Sequence, residues 1–210
     1  VIGKLGISHL EPAFWSIHGP VIKGKHATYA IRYSWEDNIK IIEQWYNMNK
    51  ATNFEEFNNA MSGMALPMFN TGYADKKGNI FYLYNAKTPI RNNLYNWEGV
   101  VPGNTSETLW KDFIKYDDLP KVLNPSSGYI QNCNNGPYYT LNHNIKGTPN
   151  LYSGIESTNT NRSIRARELF SLDSSITYED FKKIKFDLKY SKESNIAQVV
   201  RRAINLIKNK

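Results

Sequence analysis

The sequence predicts an α+β fold, an antiparallel sheet with helices and a helical C-terminal segment. Three observations lead there. Short apolar runs with period-two alternation open the chain and return as a hairpin around Lys76-Lys77-Gly78-Asn79. Two capped stretches of helical period lie between Ser34 and Met61. From Arg162 onward the apolar spacing is helical.

Taken in order, Val1 to Leu10 read as a strand ending near His9. Ala13 to Ile17 read as a second strand, stopped by His18-Gly19-Pro20 and resumed at Val21-Ile22 before Gly24 breaks it. Lys25 to Arg32 alternate as a third. Ser34 and Asp37 have capping-box spacing, and Trp35, Ile39, Ile42 and Tyr46 form a core-facing helical stripe after them. Thr52-Asn53-Phe54-Glu55 caps a shorter helix whose apolar face is Phe54, Phe57 and Met61. Leu66 to Asp75 and Ile80 to Tyr84 form the clearest hairpin. Residues 92–118 lack a period but carry Trp97, Trp110 and Phe113, the pattern of a long loop that lines a pocket. Thr177 caps a helix carrying Tyr178, Phe181 and Ile184, and Ile196 to Ile207 form a strongly amphipathic last helix.

A chain of 210 residues, 40% hydrophobic and 21% charged, suits a globular protein with a sizeable core. No apolar run reaches the roughly 18 residues of a membrane span. The net charge of +7 comes from scattered lysines, with only Lys182-Lys183-Ile184-Lys185 and Arg201-Arg202 as small clusters, so a nucleic-acid partner is not expected. Cys133 is the only cysteine, which excludes an internal disulfide and a cysteine-based zinc site.

The stretch with most chemical content is Asn124-Pro125-Ser126-Ser127-Gly128-Tyr129-Ile130-Gln131-Asn132-Cys133-Asn134-Asn135. Asn124-Pro125 and Gly128 turn the chain, Tyr129-Ile130 reads as a short strand, and three side-chain amides crowd its end. A fixed amide donates N–H to an oxyanion without any proton transfer. Alone, the stretch reads better as an asparagine-rich turn.

Its neighbours give it a context. Trp15-Ser16-Ile17-His18-Gly19-Pro20-Val21, the helices around Trp45 to Phe57, Asn70-Thr71-Gly72-Tyr73-Ala74-Asp75-Lys76-Lys77-Gly78-Asn79-Ile80, Pro89-Ile90-Arg91, Tyr95-Asn96-Trp97-Glu98-Gly99 and Leu119 to Asn135 follow one another in a shared order. Together they resemble the penicillin acylase family of N-terminal nucleophile (Ntn) hydrolases, from about Phe14 to Leu169. The resemblance implies part of an αββα sandwich, with residues 1–160 as β-subunit core and 161–210 as its helical continuation. It also implies a self-processing acylase that hydrolyses the amide bond of penicillin-like amides or N-acyl homoserine lactones. In this family a Ser or similar residue at the β-subunit N-terminus attacks the substrate, with its own α-amine as base.

By this resemblance Asn134 is the oxyanion-hole asparagine, and Arg162 the active-site arginine that orients the nucleophile end; Arg165 and Arg167 lie one small alignment slip away. Phe69, Tyr73, Trp97 and Tyr129 are the aromatics offered for acyl contact, against core packing for each. His18 is expected to be structural, and Cys133 a packing residue rather than a nucleophile. The chain begins at Val1, which has no nucleophilic atom, so an internal β-subunit fragment that is inactive alone is expected. The implied partners are a small N-acyl amide and the rest of the precursor. No cofactor is visible in the sequence; the resemblance allows for calcium in the full-length protein, and the family's calcium carboxylates fall largely outside this sequence. The implied location is periplasmic or secreted. The alternative is a non-catalytic relative that kept the fold as a binding or structural module.

Overall fold

The computed structural model describes residues 12–34, 39–66, 68–141, 145, 154–155 and 157–208. The strand expected over Val1 to Leu10 and the Trp35–Asp37 part of the first capping box lie outside them. The fold is mixed α+β, with two antiparallel three-stranded sheets and five helices among the described residues.

The first sheet contains β1 (Phe14–Ser16), β2 (Gly19–Lys23) and β3 (Thr28–Ala30), paired in that order. The sequence suggested that β1 resumes after His18-Gly19-Pro20. Instead the chain reverses at Ile17-His18, and Ser16 pairs with Gly19. Gly19 takes φ 119°, a conformation that glycine adopts without a Cβ clash. Ser16 fixes the reversal, its Oγ donating to the Gly19 carbonyl and accepting from the His18 N–H, both at 3.2 Å.

Helices α1 (Ile41–Lys50) and α2 (Phe54–Ser62) follow. Asn53 caps α2, its Oδ1 accepting the Glu56 N–H at 3.0 Å, while the Glu56 carboxylate accepts the Thr52 N–H at 2.7 Å. These reciprocal bonds satisfy donors that a helix start otherwise leaves open. The stripe expected to bury α1 behaves otherwise. Ile39, Ile42 and Tyr46 are 90%, 79% and 61% exposed, because α1 turns Gln44 inward instead. The Gln44 Oε1 accepts the N–H groups of Ala65 at 2.5 Å and Leu66 at 3.2 Å, where the chain leaves α2. A buried amide thus splices α1 to the segment that begins the second sheet.

That sheet is β4 (Met68–Ala74), β5 (Ile80–Ala86) and β6 (Lys121–Leu123), with β5 central. The expected hairpin forms with Ala74 opposite Ile80 and Asn70 opposite Tyr84. Asp75 organises its turn, accepting from the N–H groups of Lys77 and Asn79, the Asn79 side-chain amide and the Tyr73 hydroxyl. The Asn79 amide foremost holds its carboxyl below the usual range. Strand β6 lies at Lys121–Leu123, not at Tyr129-Ile130, which belongs to no strand. Alternation along β5 builds two cores. Phe81 and Leu83 join Met61, Leu119, Phe54 and Phe57 on the helix side. Tyr82 joins Leu141, Ile145 and Ile130 on the other.

Helices α3 (Asn161–Phe170), α4 (Tyr178–Lys185) and α5 (Asn195–Lys208) complete the described chain. Thr177 caps α4 as expected, accepting the Asp180 N–H at 3.2 Å. Arg165 of α3 grips Asp187, just past α4, through Nε at 2.9 Å and Nη2 at 3.0 Å. Both side chains are mostly shielded from water, and the Arg165 bonds hold the Asp187 carboxyl below the usual carboxylate range. No residue of α5 is buried, so its amphipathic face is open. Among the described residues no helix is long and apolar enough to cross a membrane.

Two outcomes follow from this packing. Gln44→Leu removes the acceptor of two buried N–H groups and should lower unfolding stability by about 1–3 kcal/mol in denaturant titration. Asp187→Asn should destabilise the protein at neutral pH. An aspartate with a depressed folded pKa contributes stability above its unfolded pKa of about 3.9 and loses it as pH falls through the folded value. The melting temperatures of wild type and variant should therefore converge on acidification, and a constant gap down to pH 2 would contradict the ion-pair account.

Candidate functional site

The asparagine-rich stretch leaves β6 at a fixed point. Asn124, at φ 47°, accepts the Ile80 N–H on Oδ1 at 2.8 Å and donates Nδ2 to the Asn79 Oδ1 at 3.0 Å. Gly128 makes the predicted bend with φ 71°. Ile130 then packs in the Tyr82 core, 3.5 Å from where a Cβ on Gly72 would stand. Gln131 is buried and donates Nε2 to the Tyr139 carbonyl at 2.6 Å and to the Ser163 Oγ at 3.0 Å, which ties the stretch to α3.

Residues 132–135 form a nest of side chains bonded to backbone. Asn132 accepts the Asn134 N–H on Oδ1 and donates Nδ2 to the Asn135 carbonyl, both at 3.1 Å. The buried Asn135 accepts the Cys133 N–H at 2.8 Å and donates to the Gly136 carbonyl at 2.9 Å. Asn132 and Asn135 are thereby committed to local structure. Asn134 differs. It is exposed, sits at φ 58°, and makes its side-chain bond across to α3.

That bond fixes which way the amide faces. Arg162 Nη2 donates to the Asn134 Oδ1 at 2.6 Å and to the Cys133 carbonyl at 3.3 Å. A guanidinium only donates, so the atom facing it must be the oxygen, and Nδ2 points away. No acceptor for Nδ2 is found among the described residues. The three arginines of α3 differ in their partners. Arg165 is held by Asp187, and the Arg167 guanidinium lies 5.6 Å from the centroid of the Tyr139 ring. Only Arg162 reaches Asn134.

Burial pushes the Cys133 thiol up, against a smaller opposite effect of Arg162. A thiol raised in this way is a poor nucleophile at neutral pH. A cleft of about 630 Å³ opens beside Cys133 and Arg162, with Leu169, Phe170 and Phe181 of α3 and α4 on its apolar side.

The four aromatics have different partners. Tyr129 stacks on Phe170 with ring centroids 4.8 Å apart. Tyr73 packs against Phe54 and Phe57 in the helix-side core. Trp97 donates its indole N–H to the Asn92 carbonyl and lines, with Trp110, a cavity of about 750 Å³ facing the first sheet. His18 closes part of that cavity by donating Nε2 to the Gly103 carbonyl at 3.1 Å, a structural tie. Phe69 is half exposed and meets Trp45 edge to face at 6.1 Å. Sequence reasoning passed over Trp45, whose place in an apolar helical stretch gave no sign that it would stay open. It also passed over Thr160, although a threonine directly before a helix is a recognisable cap.

Among the described residues no group of three His, Cys, Asp or Glu is placed to hold a metal ion.

Comparison with known proteins gives the arrangement a family. The penicillin G acylase of Escherichia coli is 33% identical over 138 residues, 64% of this chain and 16% of that protein. The penicillin acylase 2 proenzyme of Pseudomonas sp. (strain SE83) is 29% identical over 122 residues, 56% of this chain and 16% of that protein. The chain therefore spans about a sixth (16%) of the length of these relatives. The solved structure of a thermostable penicillin G acylase from Alcaligenes faecalis matches with a TM-score of 0.68 at 26% identity, over 82% of this chain and 30% of that one. A family model for penicillin amidase matches residues 10–209. With nearly its whole length matched, the chain belongs to the penicillin amidase family.

Proposed function

We propose that this chain is the oxyanion-binding part of a self-processing acylase that hydrolyses the amide bond of N-acyl substrates. Family membership makes an amidase the expected activity. The observation that carries the finer reading is the 2.6 Å bond from Arg162 to the Asn134 Oδ1, because it turns Nδ2 outward on an exposed loop. In the proposed reaction a nucleophile carried elsewhere in the precursor attacks the acyl carbon. The carbonyl oxygen gains negative charge, and the Asn134 N–H donates to it. Collapse of this intermediate expels the amine and leaves an acyl-enzyme, which water then hydrolyses. Arg162 holds the amide in the donating orientation and keeps a fixed positive charge next to it.

Of the four aromatics considered for the acyl group Phe69 alone is exposed, and with Trp45 it forms an edge-to-face pair about half open on both rings. Tyr73, Trp97 and Tyr129, the other aromatics considered for this role, have mainly packing partners. The small N-acyl amide, the remainder of the precursor and a periplasmic or secreted location belong to the same proposal and rest on family resemblance.

The test is Asn134→Ala in the full-length, processed protein, with release of amine from an N-acyl substrate as the readout. Removal of one oxyanion donor should lower kcat by about 10²–10³-fold while processing continues. Unchanged turnover would show that Asn134 is not the donor.

A further inference from the structure

We infer that Thr160 is a positioning residue for the oxyanion site, a role that rests on the assignment of Asn134 above. Thr160 stands directly before α3 and uses its hydroxyl twice. Its Oγ accepts the Ser163 N–H at 3.1 Å, which caps the helix. Its hydroxyl hydrogen is donated to the Cys133 carbonyl at 2.9 Å, across 27 residues of sequence.

The second bond acts on the peptide that joins Cys133 to Asn134. The carbonyl of that peptide accepts from Thr160 at 2.9 Å and from Arg162 at 3.3 Å. Its N–H, which belongs to Asn134, is donated to the Asn132 Oδ1 at 3.1 Å. The peptide plane is therefore held from both edges. Its orientation sets where the Asn134 side chain leaves the backbone, at the left-handed φ of 58° that few residues other than glycine and asparagine tolerate. The same hydroxyl fixes the first turn of α3, from which Arg162 reaches back to Asn134. One side chain thus registers the amide and the guanidinium against each other. Without the hydroxyl, the carbonyl keeps only the longer Arg162 bond, and the helix start loses its cap.

A misplacement of about 1 Å at a reacting group is enough to cost around 10²-fold in rate. The experiment uses the full-length processed protein with Thr160→Val, which keeps the shape and removes the hydroxyl, and Thr160→Ser, which keeps the hydroxyl. Active sites are counted with a stoichiometric covalent inhibitor, so that kcat is expressed per competent site. Thr160→Val should lower kcat per site about 10-fold or more, with KM within about threefold of wild type, and Thr160→Ser should restore it. If Thr160→Val folds poorly, Thr160→Asp keeps the cap acceptor but has no proton for Cys133, and should show the same loss per site. A purely structural threonine would reduce the number of competent sites and leave kcat per site unchanged, which overturns the inference. Asn134→Ala, run alongside, separates the two levels. Its loss of turnover with Thr160→Val unaffected removes only the role of Thr160, whereas unchanged turnover in Asn134→Ala removes the oxyanion reading itself.

Discussion

Strand β5 is hydrogen-bonded on both edges and buried on both faces, and the packing of the second sheet depends on it. Phe81 and Leu83 face the two helices, while Tyr82 faces the segment that carries the candidate site. Each such side chain contributes about 1.5–3 kcal/mol on burial, so the two cores compete for no residue and share one backbone. This backbone also transmits position. Asn124 bonds to the N–H of Ile80 at the start of β5, so the asparagine-rich stretch departs from the strand itself rather than from a free loop. Ile130 and Gln131 then fasten it to the Tyr82 core and to α3 before the exposed Asn134 is reached.

The chemistry of position 134 is narrow. An aspartate would occupy the same space and bind Arg162 more strongly, yet it would offer no N–H to an oxyanion. A glycine would take the left-handed φ at no steric cost and present no side chain. Asparagine meets both demands: it tolerates φ 58°, and its two-ended amide accepts from Arg162 with one end while the other stays a donor. The flanking asparagines are explained by the same turn. Asn132 and Asn135 satisfy backbone groups that a tight reversal would otherwise leave open.

Much of this was legible in the sequence because it is local chemistry. The hairpin at Lys76-Lys77-Gly78-Asn79, the caps at Asn53 and Thr177 and the bend at Gly128 each follow from residues within a few positions of one another. The family resemblance named Asn134 and Arg162 separately, and the bond between them was not anticipated, since nothing local joins residues 28 apart. What escaped is what tertiary packing decides. A stripe at helical spacing tells which residues share a face but not whether that face is covered, so Ile39, Ile42 and Tyr46 were assigned to a core that instead holds Gln44. Tyr129-Ile130 has strand propensity, but the edge of β5 is already taken by Lys121–Leu123. Of the four aromatics, Phe69 and Tyr73 share β4 while Trp97 and Tyr129 lie elsewhere, which residue class alone does not tell.

The role of Arg162 in the proposed site follows from where its charge sits. A guanidinium placed directly on a developing oxyanion would also stand beside the nucleophile's own α-amine, the base in the proposed reaction, and would lower its affinity for a proton. Placed behind the Asn134 amide, the same charge acts through one intervening dipole. Its bond to the Oδ1 draws electron density toward the oxygen and makes the outward N–H a stronger donor, the cooperative effect expected along a hydrogen-bond chain. The charge also holds one amide rotamer in place, so no reorganisation is required as the oxyanion forms. In the proposed site, a neutral donor backed by a fixed cation would therefore stabilise the transition state with less disturbance to the base than a bare cation would cause.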